Sequence, residues 1–359
     1  MGHARGFGVT PETNKIHQGD VLEVIKTWPD GFVQTCVTSP PYWGLRDYGV
    51  DGQLGLEKTP EEFVAKMVEV FREVRRVLRD DGTLWLNLGD SFCSSGRGGY
   101  DRVRAGISKN GGNCASDFHA APNRMSLPGI KNKDLVGIPW MCAFSLRSDG
   151  WYLRSDIIWA KKNCMPESVT DRPTRAHEYI FLLTKSQKYY YDAEAIKEPA
   201  IYFDDDRKTR ANENHKSMPD EKRNGIRPVY KDARSFDVKH TDKQRGYDRR
   251  HAGFNDRWDQ MTKEEQCGAM RNKRSVWSVA THPYSESHFA TFPEKLIEPC
   301  VLAGAPSGGL VLDPFMGAGT TALVASKLNR KFIGIELNPK YIEMAEKRIA
   351  PELAQGKFA

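Results

Sequence analysis

The sequence predicts an α/β protein built on a mostly parallel sheet with helices on both faces. Three observations carry that prediction. Residues 15–90 alternate strand and helix signals. A β-α-β-α unit with short connections occupies residues 309–350, so its two strands should be parallel. A glycine turn, Met316-Gly-Ala-Gly-Thr-Thr321, joins the first strand of that unit to its helix.

The elements follow in order. Lys15-Ile-His-Gln18 reads as a short strand closed by Gly19-Asp20. Phe32-Val-Gln-Thr-Cys-Val37 reads as a buried strand, and Thr38-Ser-Pro-Pro-Tyr-Trp43 follows it. Two prolines there fix the backbone and remove two N–H donors. The tip that remains is a rigid row of acceptors beside an aromatic face, suited to a planar group bearing an amino donor. Taken alone, the hexapeptide equally describes a strand that stops at prolines and packs a Tyr and a Trp.

Thr59-Pro60-Glu61-Glu62 opens a helix, with a capping box and Pro at the first helical position. Phe63, Met67, Val70, Phe71, Val74 and Leu78 recur at helical spacing until Asp80-Asp81-Gly82, and Thr83 to Leu88 reads as the next strand before Gly89-Asp90. Leu135 to Leu146 is expected to be helical after an irregular start, and Trp151 to Trp159 and His177 to Thr184 to be strands. Gly309 to Phe315 and Lys331 to Leu337 are the strands of the final unit, with helices through about Asn329 and from Lys340 to about Ala350.

Two stretches depart from this pattern. Residues 91–134 are rich in Gly, Ser, Asn and Arg and carry a net charge of +4. Residues 201–275 carry 19 Lys/Arg against 14 Asp/Glu, with Tyr230, Phe236, Tyr247, Phe254 and Trp258 among the charges. The rest of the chain sums to −3, so basic charge concentrates in loops around a near-neutral scaffold, as in a nucleic-acid clamp. A solvated surface loop has the same composition.

Composition excludes several classes. No window approaches the roughly 18 apolar residues of a membrane span. The start, Met1 to Phe7, lacks an apolar signal core and reads as not secreted. Seven cysteines, an odd number with no CxxC pair, argue against a disulfide framework or a zinc site and for a reducing cytosol. His177-Glu178 has no companion pair at ligand spacing and reads as structural, so no metal is expected.

The glycine turn bears on a cofactor. Asp313 ends the strand before it, and Glu336 ends the next strand 23 residues later, where doubly wound folds place the carboxylate that meets ribose hydroxyls. A P-loop requires Gly-Lys-Ser/Thr, and here Gly319 precedes Thr320-Thr321. GxGxxG is likewise incomplete. An acidic residue beside the turn would repel a pyrophosphate and suit a cation. A sulfonium or α-amino group joined to an adenosine fits, and S-adenosylmethionine has all three.

Asp313-Pro-Phe-Met-Gly-Ala-Gly-Thr-Thr321 closely resembles the cofactor motif of amino-group DNA methyltransferases. Thr38 to Trp43 resembles their catalytic motif, and Phe289-Ala-Thr-Phe-Pro-Glu294 their third cofactor element. Asp156 to Lys161 and Arg175 to Ile180 are also similar to family segments. The order, catalytic motif first and glycine motif last, is that of the β group. It implies a permuted Rossmann-like S-adenosylmethionine-dependent methyltransferase fold with polar insertions for DNA recognition. The catalytic domain would comprise residues 15–90, 135–192 and 276–350, with 91–134 a basic loop insertion and 201–275 a candidate target recognition region.

The resemblance implies roles residue by residue. Asp20, Phe292, Pro293, Asp313, Phe315, Gly317, Gly319, Thr320, Thr321 and Glu336 would bind S-adenosyl-L-methionine. Ser39, Pro40, Pro41 and Tyr42 would form the catalytic tip: the Ser39 side chain and Pro40 carbonyl accept the amine N–H bonds, and Tyr42 stacks on a flipped base. Ser at the first motif position favours the N4 amine of cytosine. The N6 amine of adenine is the alternative, and a catalytically silent DNA-binding module is an alternative of another class. A Pro-Cys nucleophile for carbon-5 methylation has a counterpart in Pro299-Cys300, which instead reads as part of a packing helix. The implied partner is DNA in the cytoplasm, as part of the nucleoid. A cognate restriction endonuclease, the recognition sequence and the choice of monomer or dimer stay open.

Overall fold

A computed structural model describes residues 10–45, 50, 52–93, 129–164, 166–199, 270–281 and 292–354. The chain divides into two compact units, Met1–Ile196 with Arg274–Ala359, and Lys197–Lys273. In the second, the described residues form a two-stranded antiparallel ladder of β6 (Glu198–Pro199) and β7 (Met270–Arg271), with Arg271 Nε donating to Glu198 Oε1 at 3.0 Å. The aromatic residues between 230 and 258, and the 94–128 part of the first insertion, lie outside the described residues.

The first unit is one eight-stranded sheet. Its strands are β1 (Lys15–Gln18), β2 (Val33–Thr38), β3 (Leu78–Leu88), β4 (Tyr152–Lys161), β5 (His177–Thr184), β8 (Val276–Val279), β9 (Leu310–Asp313) and β10 (Lys331–Glu336). They lie in the order β1-β10-β9-β2-β3-β5-β4-β8. Every neighbouring pair is parallel except those of β5, which runs opposite to β3 and β4. The expected parallel pairing of β9 and β10 is present, with Gly334 opposite Asp313.

Helices cover both faces. On one, α1 (Val21–Lys26), α2 (Pro60–Val77) and α3 (Ile138–Ser148) bury Ile25, Phe63, Phe71, Val74 and Leu146 against the sheet. On the other, α4 (Glu294–Gly304), α5 (Thr320–Lys327) and α6 (Pro339–Ala354) bury Leu296, Val301, Leu323, Ala345 and Ile349. Only half of the expected capping box of α2 forms, for Glu62 reaches back one residue beyond the Thr59 cap. Thr59 Oγ1 accepts from Glu62 N at 3.2 Å, and Glu62 Oε2 accepts from Lys58 N at 3.1 Å.

Three boundaries differ from expectation. Helix α2 stops at Val77 rather than near Asp80, because Leu78 already pairs with Val33 of β2; the ladder then slips across residues 79–82 before Thr83 meets Thr35. Helix α3 begins at Ile138, since Leu135 is held in an isolated bridge with Phe92. Helix α6 runs through Pro351 to Ala354, where Leu353 packs on the core beneath it.

The strand order reverses between β9 and β2. From β9 the chain crosses through α5 to β10, and from β2 it crosses through α2 to β3 on the other side. Such a switch point opens a crevice at the carboxyl ends of the strands. Gln18, Glu336, Asp313, Thr38 and Leu88 end strands along that edge. Among the described residues, no helix is long and apolar enough to cross a membrane, and no group of three His, Cys, Asp or Glu is placed to hold a metal ion.

Candidate active site

The glycine turn lies where β9 meets α5. Gly317 and Gly319 have φ of +50° and +76°, a region that side chains with a Cβ rarely adopt. Gly319 also lies under α6: a Cβ there would stand 2.8 Å from Ala345 Cβ. Among the described residues the backbone above Gly317 is open, for the nearest atom a Cβ would meet beyond its chain neighbours is Phe315 O, at 3.9 Å. The turn therefore leaves room for a ligand over Gly317 while Gly319 seats it on the fold.

Glu336 ties this turn to the end of β10. Its Oε2 accepts from Gly317 N at 2.8 Å and its Oε1 from Asn338 N at 2.9 Å. Burial raises its pKa above the ordinary glutamate value, against those two bonds. Gly19 N donates to Glu336 O at 3.1 Å, which brings Asp20 to the same edge. There Asp20 caps α1, and Leu22 N and Glu23 N both donate to its Oδ1, at 2.9 and 3.1 Å. Phe292 is partly buried against the α4–α6 face, and Pro293 is the N-cap of α4. Residues 289–291 of the third motif lie outside the described residues.

Asp313 points inward. It is 1% exposed, and three donors hold its carboxylate: Thr38 Oγ1 at 2.6 Å and Phe315 N at 3.0 Å on Oδ1, and Thr321 Oγ1 at 2.7 Å on Oδ2. Burial pushes its pKa up to about 6 despite those bonds. Thr321 Oγ1 lies 3.2 Å from Val37 O with its one proton on the shorter bond to Asp313, and Thr320 Oγ1 accepts from Arg348 Nη1 at 2.9 Å. Hence Asp313, Thr320 and Thr321 spend their polar atoms within the protein. They join the glycine turn to β2 and α6, whereas Gly317, Phe315 and Glu336 are only partly buried.

The tip that the sequence predicts to be catalytic follows directly from Thr38. Ser39 and Tyr42 are partly exposed and Pro40 is buried. Trp43 is buried and its Nε1 donates to Glu57 O at 2.9 Å, while Gly44 N donates to Gly55 O at 2.7 Å. The Tyr42 ring lies against the end of β3, where a Cβ on Gly89 would stand 2.6 Å from Tyr42 Cε2. Tyr42 Oη donates to Glu178 Oε2 at 2.7 Å, and Ser39 Oγ lies 3.5 Å from Tyr42 Oη.

Glu178 is the hub of this corner. Its Oε1 is ion-paired with Lys161 Nζ, and Asn87 Nδ2 donates to its Oε2 at 3.0 Å. Asn87 and Lys161 stand outside the site that the sequence predicts, and Glu178 reads there as structural. The missing signal is strand direction. Because β5 runs antiparallel, its first residues reach the edge where the parallel strands end, and Trp159 pairs with Glu178. Cys300 is fully buried in α4, in keeping with the packing-helix reading.

The comparisons with known proteins fit this geometry. A family model described as DNA methylase matches residues 33–347. The type II methyltransferase M.SmaI of Serratia marcescens is 44% identical over 335 residues, 93% of this chain and 90% of that protein. M.Cfr9I of Citrobacter freundii, also a type II methyltransferase, is 42% identical over 337 residues, 94% of this chain and 88% of that protein. Among solved structures, the PvuII DNA methyltransferase (cytosine-N4-specific) aligns with a TM-score of 0.54 at 15% identity, covering 97% of this chain and 94% of that one. TTHA0409 of Thermus thermophilus, complexed with S-adenosyl-L-methionine, aligns with a TM-score of 0.52 at 22% identity, covering 94% and 93%. At such identities the likeness is one of fold: a Rossmann-like α/β sheet in permuted order.

Proposed function

The chain belongs to the DNA methylase family, and from that premise we propose that it moves a methyl group from S-adenosyl-L-methionine to the N4 amine of cytosine in DNA. The bridge from Thr38 to Asp313 carries this reading, because it sets the tip bearing Ser39 beside the turn bearing Gly317. The room over Gly317 and the carboxylate of Glu336 at the next strand end fit a ligand that joins a cation to a ribose.

When bound, S-adenosylmethionine supplies an electrophilic methyl group on a sulfonium. Phe292, Pro293, Phe315, Gly317, Gly319, Glu336 and Asp20 would hold it, with Asp313, Thr320 and Thr321 bracing the turn behind them. An exocyclic amine is a poor nucleophile, since its lone pair is delocalised into the ring. Ser39 Oγ and Pro40 O accept its N–H bonds, which localises the lone pair and aims it. Pro41 keeps this row of acceptors rigid, and the Tyr42 ring stacks on the flipped base. The residues contribute mainly positioning and electrostatics, with no covalent link to the protein.

Ser39 at the first motif position supports cytosine, and the PvuII enzyme of like fold is named cytosine-N4-specific. The catalytic domain is assigned to residues 15–90, 135–192 and 276–350. The basic segments 91–134 and 201–275 contact the duplex, the latter as the target recognition region. The type II relatives support a setting beside a cognate restriction endonuclease. Mass spectrometry of nucleosides from a host expressing the protein is expected to show N4-methylcytosine, absent with Ser39→Ala. N6-methyladenine would move the assignment to adenine. Unmodified DNA, with cofactor binding confirmed by calorimetry, would overturn the activity.

A further inference from the structure

The corner behind Tyr42 contains a one-way chain of hydrogen-bond donors. Lys161 Nζ is ion-paired with Glu178 Oε1, and the two side chains are 22% and 14% exposed. The same ammonium lies 4.7 Å from the centre of the Trp159 ring, which holds it in place. Lysine can only donate, and an ionised carboxylate can only accept. Glu178 therefore has no proton to give, and the bond of 2.7 Å between Tyr42 Oη and Glu178 Oε2 must use the phenol's single proton. Asn87 fixes the same polarity. Its two amide protons go to Glu178 Oε2 at 3.0 Å and Tyr179 O at 3.3 Å, while Tyr42 Oη lies 3.4 Å from the same nitrogen.

With its proton committed, the Tyr42 oxygen presents lone pairs to Ser39, whose Oγ stands 3.5 Å away. We propose that Glu178, clamped by Lys161 and Asn87, is a positioning residue that sets the polarity of Ser39 through Tyr42. The Ser39 proton is drawn toward Tyr42 Oη, and the Ser39 oxygen faces the substrate as an acceptor. The 3.5 Å contact closes when a base fills the site, as such contacts do on substrate binding. An amine is then favoured over a carbonyl at the same ring position before any chemistry occurs, because a carbonyl would meet a second acceptor. The inference rests on the proposed amino-methyltransferase reading and deepens it. The selectivity for an amine is held behind Ser39 and Tyr42, in a carboxylate that never touches the base.

Equilibrium binding tests this without turnover. Once sequencing of modified DNA has mapped the methylated position, two duplexes are compared by fluorescence anisotropy with the full-length protein. One carries the target base, the other its oxo counterpart with a carbonyl in place of the amine. The wild-type protein is expected to prefer the amine duplex by about tenfold, a typical effect of leaving a buried polar group unmatched. Glu178→Gln and Tyr42→Phe are each expected to bring the ratio near one, and the double variant to add nothing further. Glu178→Asp, which keeps the charge, should restore part of the preference. Circular dichroism of each variant monitors folding, and Lys161→Met supplies a second way to release Glu178. A full amine preference in folded Glu178→Gln and Lys161→Met would overturn the inference and leave the methyltransferase reading intact. A wild-type protein that methylates DNA yet shows no amine preference would also overturn the inference alone, whereas unmodified DNA, with cofactor binding confirmed, would overturn that reading itself.

Discussion

Thr38 Oγ1 donates to Asp313 Oδ1 at 2.6 Å across 275 positions of sequence. This bond fastens the residue before the proposed catalytic tip to the first residue of the proposed cofactor motif, within the β2–β9 pair where the strand order reverses. Thr38→Val keeps the shape and removes the donor. It is expected to cost about 2 kcal/mol of stability, as for a lost bond to a charged group. Thr38→Ser should recover most of that. Urea denaturation of the three proteins measures it, and calorimetry should show weaker cofactor binding in the valine variant.

Asp313 also gives the fold a pH dependence. Burial raises its pKa to about 6 from the ordinary 3.8. The folded protein therefore holds this proton more tightly than the unfolded chain between those values, and stability falls as pH rises through that window. The contribution amounts to about 3 kcal/mol, present at low pH and lost once the folded carboxyl has ionised. Asp313→Asn removes it. Unfolding midpoints measured below and above the window should then differ less in the variant than in the wild type, once the other carboxylates, common to both, are subtracted.

Gly317 and Gly319 should respond differently to alanine. Both have positive φ, which costs a non-glycine residue about 1–2 kcal/mol. At Gly319 the new Cβ also strikes Ala345 Cβ at 2.8 Å, so Gly319→Ala should lose more stability, read as a lower Tm. At Gly317 the Cβ enters open space. Gly317→Ala should lose only the backbone term in stability, and lose cofactor affinity at least about tenfold, the equivalent of about 1.4 kcal/mol.

Gly89 provides a similar contrast at the proposed catalytic tip. An added Cβ would stand 2.6 Å from Tyr42 Cε2, and the ring rather than β3 must give way. Gly89→Ala is expected to reduce methylation by about a hundredfold, in line with the cost of a misplacement of about 1 Å. Cofactor affinity should stay within about twofold, because the turn at Gly317 is untouched. Single-turnover rates and calorimetry separate the two effects.

Much of the fold is legible in the sequence because glycine, proline and capping residues announce backbone geometry. Thr59-Pro60-Glu61-Glu62 set the start of α2, and Asp313 to Thr321 mark the strand, turn and helix of the cofactor half. The permuted order follows from which motif comes first. Pairing over long distance is not legible. Leu78 continues the apolar period of α2, and only its partner Val33 makes it a strand residue. The direction of a carboxylate is hidden as well. The motif places Asp313 against the cofactor, yet two threonine hydroxyls and an amide enclose it. Glu178 escapes a sequence reading because its importance depends on β5 running backwards, which no residue in His177 to Thr184 declares.

The interleaved sheet also sets a timetable for synthesis. Asn14 Oδ1 accepts from Phe332 N at 3.1 Å, 318 positions away, and among the described residues β1 has no neighbour in the sheet except β10. At about 5–20 residues per second, the first strand leaves the ribosome roughly 15–60 s before its partner exists. Through that interval β1, and the β9-facing side of β2, are unpaired strand edges, the kind that recruit other chains. The nascent protein therefore carries these open edges before it can bind its cofactor, and a ligand that binds the finished site cannot shorten that wait.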